Sequence, residues 1–195
     1  QVRQILGPVI FGEQDQTLAQ SLVAMLLERK LILATAESCT AGLIAKMVTD
    51  VPGCSDIFAG GWVTYTNAMK ASSLGVDEQT LAIHGAVSEP VARQMALGAI
   101  NASNADFALS TTGLAGPTGG TPEKPVGTVW IGLAVRDRTT DQITIEAREY
   151  VISGNRDDIR DRASKCALQM LRFHLMGLSV DSLTWSRRLP ATSAI

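Results

Sequence analysis

The spacing of apolar positions changes character along the chain. In "TLAQSLVAMLLERK" (17–30) they recur at three and four, with Thr17 placed to cap, which predicts an amphipathic helix. "LILATA" then reads as a short buried strand, and "TAGLIAKMV" as a helix whose first turn is 38–42. Pro52 and Gly53 in "VPGCSD" break that helix into a turn. "IFAGGWVTYT" predicts a strand weakened by Gly60 and Gly61, where a bulge or a close backbone approach is expected. "NAMKASSLG" is a short helix with Asn67 as its cap and Gly75 as its stop, and "DEQTLAIHG" repeats that plan.

"SEPVARQMALGAINASN" predicts a well-formed helix, with Ser88 capping it and Pro90 in its first turn. "ADFALSTT" lacks clean alternation, as expected of a strand buried on both faces. A long Gly/Pro loop, "GLAGPTGGTPEKP", leads into "VGTVWIGLAVR" and "QITIEAREYVI", which are expected to pair through "DRTTD". "NRDDIRDRASKCALQMLRFHLMG" predicts the longest helix, with a stripe of Ile159, Ala163, Cys166, Leu168, Met170, Leu171 and Leu175 that makes Cys166 a core residue. The segment 178–195 has no period and reads as a mobile tail. Helices alternate with strands, so the pattern predicts an α/β domain with a layered core, and the adjacent late strands a mixed sheet.

Composition narrows the classes. The 195 residues are 46% hydrophobic, enough for one domain with a real core. A formal net charge of -2 leaves no electrostatic footprint for nucleic acid. No apolar run approaches the roughly 18 residues of a membrane span, and no signal-peptide pattern is present. Three cysteines, Cys39, Cys54 and Cys166, without paired spacing fit a reducing cytoplasm. Two histidines far apart, His84 and His174, argue against a His-based zinc site and leave few partners for a Ser-His triad. The chain opens on Gln1, and residues 1–16, "QVRQILGPVIFGEQDQ", read as a connection into a domain already under way, as in a fragment of something longer.

Four stretches carry candidate chemistry. In "TAESCTAG", Ser38, Cys39 and Thr40 fall between a strand and a helix, where free amides favour a phosphate or an oxyanion. The same residues also serve as a plain N-cap, with Glu37 or Ser38 satisfying those donors. In "WVTYTNAMK", Tyr65 ends a strand and Lys70 follows; a buried Lys can act as a base near neutral pH, and the alternative is a half-buried Tyr with a solvated Lys. In "TTGLAGPTGGTPEKPVG", Thr111 and Thr112 close a strand beside a Gly-rich loop that matches neither a Walker A loop nor G-x-G-x-x-G. In "SGNRDDIR", Arg156 stands where a bidentate anion clamp is possible, or pairs with Asp157 or Asp158. Cys39 is a rival nucleophile to Ser38, because a thiol at a helix start has a lowered pKa. His84 and His174 read as a packing residue and a helix C-terminal charge.

Taken in order, "AESCTAG", "VPGCSDIFAGGWVTYTNAMK", "GAVSEPVARQMALGA", "TTGLAGPTGGTPEKPVGTVW" and "SGNRDDIR" resemble the CinA C-terminal domain family, the nicotinamide-nucleotide amidases, over 17–177. The resemblance implies a three-layer α/β/α sandwich with a mixed central sheet. It implies hydrolysis of nicotinamide mononucleotide to nicotinic acid mononucleotide and ammonia in the cytoplasm, with no metal or organic cofactor. "ILGPVIFGE" resembles the end of an N-terminal, molybdopterin-binding-like domain, which the resemblance implies as a partner in a longer protein. It puts the catalytic roles on Ser38, Tyr65 and Lys70, and substrate contacts on Thr40, Thr112, Gly113, Gly116 and Arg156. Where many members have Gly-Gly, this chain has Ala41-Gly42.

On that basis Ser38 is expected to attack the carboxamide and neutral Lys70, directly or through Tyr65, to take its proton. Amides at the start of the 38–42 helix are expected to hold the oxyanion. A non-catalytic nucleotide-binding or assembly module is the alternative, as is a different amide such as free nicotinamide. Apolar strand edges point to a homo-oligomer, with no nucleic acid or membrane partner.

Overall fold

The computed structural model describes residues 7–12 and 14–179. Among these, local capping chemistry fixes where the chain starts to coil. Helix α1 (Leu18–Arg29) opens with a reciprocal cap: the Thr17 hydroxyl accepts the Gln20 amide and the Gln20 side chain accepts the Thr17 amide. It ends at Lys30, whose φ of 52° turns the chain toward strand β1 (Leu33–Glu37). Then follow α2 (Leu43–Thr49), β2 (Phe58–Val63), α3 (Asn67–Leu74), α4 (Glu78–His84) and α5 (Glu89–Ser103). Strands β3 (Phe107–Gly113), β4 (Thr128–Arg136) and β5 (Ile143–Val151) lead to α6 (Arg156–Leu175).

The sheet order is β2-β1-β3-β4-β5. Strand β1 is parallel to both neighbours, while β4 is antiparallel to both β3 and β5, so the sheet is mixed. A register shift opposite Leu33 and Ala34 puts an irregularity in β2 before Gly60, whose φ is 149°, at the position where a bulge was expected. Helices α1, α2 and α6 cover one face and α3, α4 and α5 the other, giving three layers.

The two faces have different grain. The α6 side carries Leu33, Phe107, Leu109, Val129, Ile131 and Leu133, which pack into a large apolar core. The α5 side carries Ala34, Ala36, Ala108 and Ala134, and Gly132, where an added Cβ would sit 2.8 Å from the Ala92 carbonyl oxygen. This explains why β3 shows no polar–apolar alternation: both sides are buried, and what alternates is large against small. Helix α5 therefore lies close to the sheet, with the Ser110 hydroxyl donating to the Ala92 carbonyl at 2.6 Å.

Three helix starts differ from expectation. Residues 38–42 are not helical; α2 begins at Leu43, with Ala41 at φ 51° and Gly42 at φ 89°. The donors of its first turn are satisfied from a distance, by the Glu37 carboxylate, which accepts Ile44 N at 3.0 Å and Ala45 N at 2.8 Å. Asn67 is the first residue of α3, and Thr66 is its cap, accepting the Met69 amide at 3.2 Å. Ser88 occupies the cap position of α5 but turns its hydroxyl back to the Gly85 carbonyl. Of the expected tail 178–195, residues 180–195 lie outside the described residues, as do 1–6 and 13 of the expected 1–16 connection.

Candidate functional site

Chain topology places a reversal of strand order beside β1. From β1 the chain crosses by α2 to β2 on one side, then returns past β1 through α3, α4 and α5 to β3 on the other. Ligand sites in open α/β sheets gather beyond the carboxyl ends of strands at such reversals. Ser38 follows β1, Thr64 and Tyr65 follow β2, and Thr112 is near the end of β3.

Ser38 extends the strand by one hydrogen bond, its amide donating to the Thr111 carbonyl at 2.9 Å. Its hydroxyl lies on the α3 side. There Lys70, in the first half of α3 and 1% exposed, donates from Nζ to Ser38 Oγ at 2.9 Å and to the Thr64 carbonyl at 2.9 Å. Burial holds the Lys70 ammonium below the ordinary lysine range, partly opposed by Cys39. Among the described residues its acceptors are these two, one fewer than an ammonium has protons to place.

Cys39 faces the opposite layer, in the core with Ile44 and Phe107. Burial first, and the nearby Glu37 carboxylate, push its thiol up to about 12, against amide and Thr111 hydrogen bonds that pull it down. Burial thus keeps it protonated at neutral pH, in place of the lowered pKa expected of a thiol at a helix start. Cys166 is also buried, its thiol pushed up to about 11 by burial.

Tyr65 and Arg156 come together on the exposed rim. Arg156 Nη2 donates to Tyr65 Oη at 3.0 Å, and Nη1 to the Gly116 carbonyl at 2.8 Å. Arg156 thus joins the end of β2 to the Gly-rich loop. It does not pair with Asp157 or Asp158, whose amides are capped by Asn155. Among the described residues Tyr65 makes no hydrogen bond to Ser38 or Lys70, so Lys70 reaches the serine directly.

Thr40, Thr112 and Gly113 are structural in their contacts. The Thr40 hydroxyl, fully buried, donates to Glu37 at 2.7 Å and lies 2.7 Å from the Thr111 hydroxyl. Thr112 donates to the Ala86 carbonyl at 2.7 Å. A Cβ on Gly113 would sit 2.8 Å from the Thr128 carbonyl oxygen, so that glycine serves packing against β4. The expected oxyanion donors at the start of α2 are also taken: Leu43 N donates to the Thr40 carbonyl and the next two to Glu37.

Sequence reading missed three contributors. Arg160 donates from Nη2 to the Thr40 carbonyl at 3.0 Å, and it stands one helical turn after Arg156 on the same side of α6. Lys124 donates to the carbonyls of His84 and Val87, latching the Gly-rich loop to the α4–α5 connection. The Thr64 hydroxyl, on the residue whose carbonyl Lys70 holds, is buried without a hydrogen-bond partner among the described residues. The i,i+4 pair Arg156 and Arg160 was the one signal available for these; the other contacts join distant segments. His84 is exposed at the end of α4, and His174 packs edge-on against Phe107 with ring centroids 5.7 Å apart.

The fold and this site together define a three-layer α/β/α domain with a buried Ser–Lys pair at the carboxyl end of its parallel strands. The CinA C-terminal domain model matches residues 15–175, and the chain belongs to that family. It is 49% identical over 180 residues to a putative competence-damage inducible protein of Symbiobacterium thermophilum, covering 91% of this chain and 42% of the relative. It is 51% identical over 174 residues to a CinA-like protein of Anaeromyxobacter sp., covering 89% and 41%. The chain therefore spans about two fifths of the length of these relatives. Among solved structures, the competence/damage inducible protein CihA from Agrobacterium tumefaciens superposes with a TM-score of 0.73 at 40% identity, covering 86% of this chain and 98% of that one. The competence damage-inducible protein A from Klebsiella pneumoniae does so at 0.74 and 31%, covering 84% and 100%. No helix among the described residues is long and apolar enough to cross a membrane.

Proposed function

We propose that this domain is an amidohydrolase that converts nicotinamide mononucleotide to nicotinic acid mononucleotide and ammonia. The observation that carries the reading is the 2.9 Å contact between the buried Lys70 Nζ and Ser38 Oγ. Burial favours the neutral amine, and a neutral amine within hydrogen-bond reach of a hydroxyl is a general base for a serine nucleophile.

In this reading Ser38 Oγ attacks the carboxamide carbon while its proton passes to Lys70 Nζ. The tetrahedral intermediate collapses as Lys70 returns that proton to the leaving nitrogen. Ammonia departs and an ester is left on Ser38. Water then attacks the ester with Lys70 again taking the proton, the acyl–Oγ bond breaks as Lys70 gives that proton to Ser38 Oγ, and the acid product leaves as its carboxylate. The oxyanion is held by amides of the 39–42 turn other than that of Ala41, which donates to the Ser38 carbonyl, since those of α2 are occupied. Arg156 with Tyr65 and the Gly116 backbone receives the ribose phosphate, which orients the amide.

The deciding experiment incubates the isolated chain with nicotinamide mononucleotide and measures ammonia. Turnover that is lost in Ser38→Ala supports the reading. Binding without turnover in the wild type overturns it, and equal turnover of free nicotinamide removes the phosphate from the substrate.

A further inference from the structure

Glu37 ends β1 and is 1% exposed, directly before Ser38. Burying a carboxylate is costly unless its lone pairs are met. Here they are met by neutral donors: the Thr40 hydroxyl at 2.7 Å, Ile44 N at 3.0 Å and Ala45 N at 2.8 Å. An ordinary helix start needs only a Ser, Thr, Asp or Asn at the cap position. In α2 that position is Gly42, which offers no side chain, and the cap arrives from the residue that precedes the turn.

The consequence is a cinched loop. The carboxylate of residue 37 ties down residues 40, 44 and 45, so the chain between must turn tightly, and Ala41 and Gly42 take φ of 51° and 89°. Further contacts brace the same turn. The Thr111 hydroxyl meets that of Thr40, the Arg160 guanidinium holds the Thr40 carbonyl, and the Ser38 amide is bonded to Thr111 O. With residues 37 and 40 fixed to the α6 side, the Ser38 side chain is directed to the α3 side, where Lys70 lies.

We infer that Glu37 is the positioning residue of the Ser38 nucleophile, its carboxylate acting through Thr40 and the α2 amides to shape the turn that presents Oγ to Lys70. This rests on the serine chemistry proposed above. Glu37 touches neither substrate nor Lys70, so its effect should fall on the chemical step and spare binding.

The test compares Glu37→Gln, Thr40→Val and Thr40→Ser with the wild type and Ser38→Ala, using nicotinamide mononucleotide well below each variant's thermal midpoint. Misplacing a reacting atom by about 1 Å costs on the order of 100-fold. Glu37→Gln and Thr40→Val are therefore expected to lose about 10- to 100-fold in kcat with KM within about twofold, while Thr40→Ser, which keeps the hydroxyl, restores most of the rate. Should Glu37→Gln fail to fold, the Val and Ser variants at position 40 decide. Lowered melting temperatures with wild-type kcat in Glu37→Gln and Thr40→Val would overturn the inference while leaving the serine reading intact. Full turnover in Ser38→Ala would overturn the serine reading itself.

Discussion

Lys70 Nζ and Ser38 Oγ meet at 2.9 Å although they belong to opposite constructions: Ser38 hangs from a turn tied to the α6 layer, and Lys70 rises from a helix of the α3 layer. That contact sets the first expectation. Ser38→Ala should lose at least about 1000-fold in ammonia release, as removal of a covalent nucleophile does. Cys39→Ala should stay within a few-fold of wild type, because its thiol is buried and protonated. Ammonia release by the two variants under identical conditions checks both, and the reverse pattern would make Cys39 the nucleophile.

Lys70 predicts a pH signature in rate and in stability. As a base it must be neutral, so kcat should rise with pH through its lowered pKa and level off below the ordinary lysine value of about 10.4. For stability the sign runs the same way. With the folded-state pKa lowered, the unfolded chain binds more protons between the two values, so stability rises with pH across that window. Lys70→Met should abolish turnover and remove that upward slope. Urea unfolding of both proteins across the alkaline range measures it, and parallel curves would mean that Lys70 titrates alike in the folded and unfolded states.

Arg156 joins Tyr65 to Gly116 at the rim. Arg156→Ala should raise KM by about 10-fold or more with a smaller effect on kcat, as loss of a charge-assisted contact worth about 1.5–3 kcal/mol implies. Tyr65→Phe, which leaves the guanidinium but frees one of its donors, should raise KM only a few-fold. An unchanged KM in Arg156→Ala would remove it from the phosphate site, and a loss of kcat in Tyr65→Phe comparable to that of Lys70→Met would restore the phenol as a relay.

Ala41 holds a left-handed conformation at φ 51°, which costs a residue with a Cβ about 1–2 kcal/mol. Ala41→Gly relieves that cost, offset in part by the extra freedom of glycine in the unfolded chain. A net gain of about 0.5–1 kcal/mol is expected, read as a rise of a few degrees in melting temperature.

Gly98, within α5, faces the end of α3 so closely that an added Cβ would lie 2.0 Å from the Leu74 carbonyl oxygen. Backbone must move to admit it. Gly98→Ala should destabilise by about 1–3 kcal/mol and also reduce kcat, because the displaced helix carries Lys70. Calorimetry and turnover on the same sample check both; a stability loss without a rate loss would mean that α3 yields at its far end only.

Much of the layered fold was legible because its signals are local. The three-and-four spacing of 17–30, the Thr17 cap and the strong strands around "DRTTD" all act within a few residues of one another. The 38–42 turn was misread for a physical reason. Small residues before an apolar run resemble a helix entry, and the carboxylate that replaces the usual cap sits seven and eight residues before the amides it serves. Neither could the sequence display the Ser38–Lys70 contact, which spans 32 positions, or the Arg160–Thr40 contact, which spans 120. Residue type and place made Ser38 and Lys70 candidates and the resemblance to a family gave them roles; the distance between them and the inward turn of Thr40 came only with coordinates.

The alanine and glycine lining of the sheet on the α5 side has one more result. Large side chains can absorb a small shift by changing rotamer, whereas a methyl against a backbone carbonyl has no such slack. The layer that carries Lys70 is therefore seated hard, and the gap to Ser38 becomes a gauge of how far the two halves of the protein have slipped. Warming should open that gap before the chain unfolds, so turnover should decline at temperatures where circular dichroism still reports a native fold.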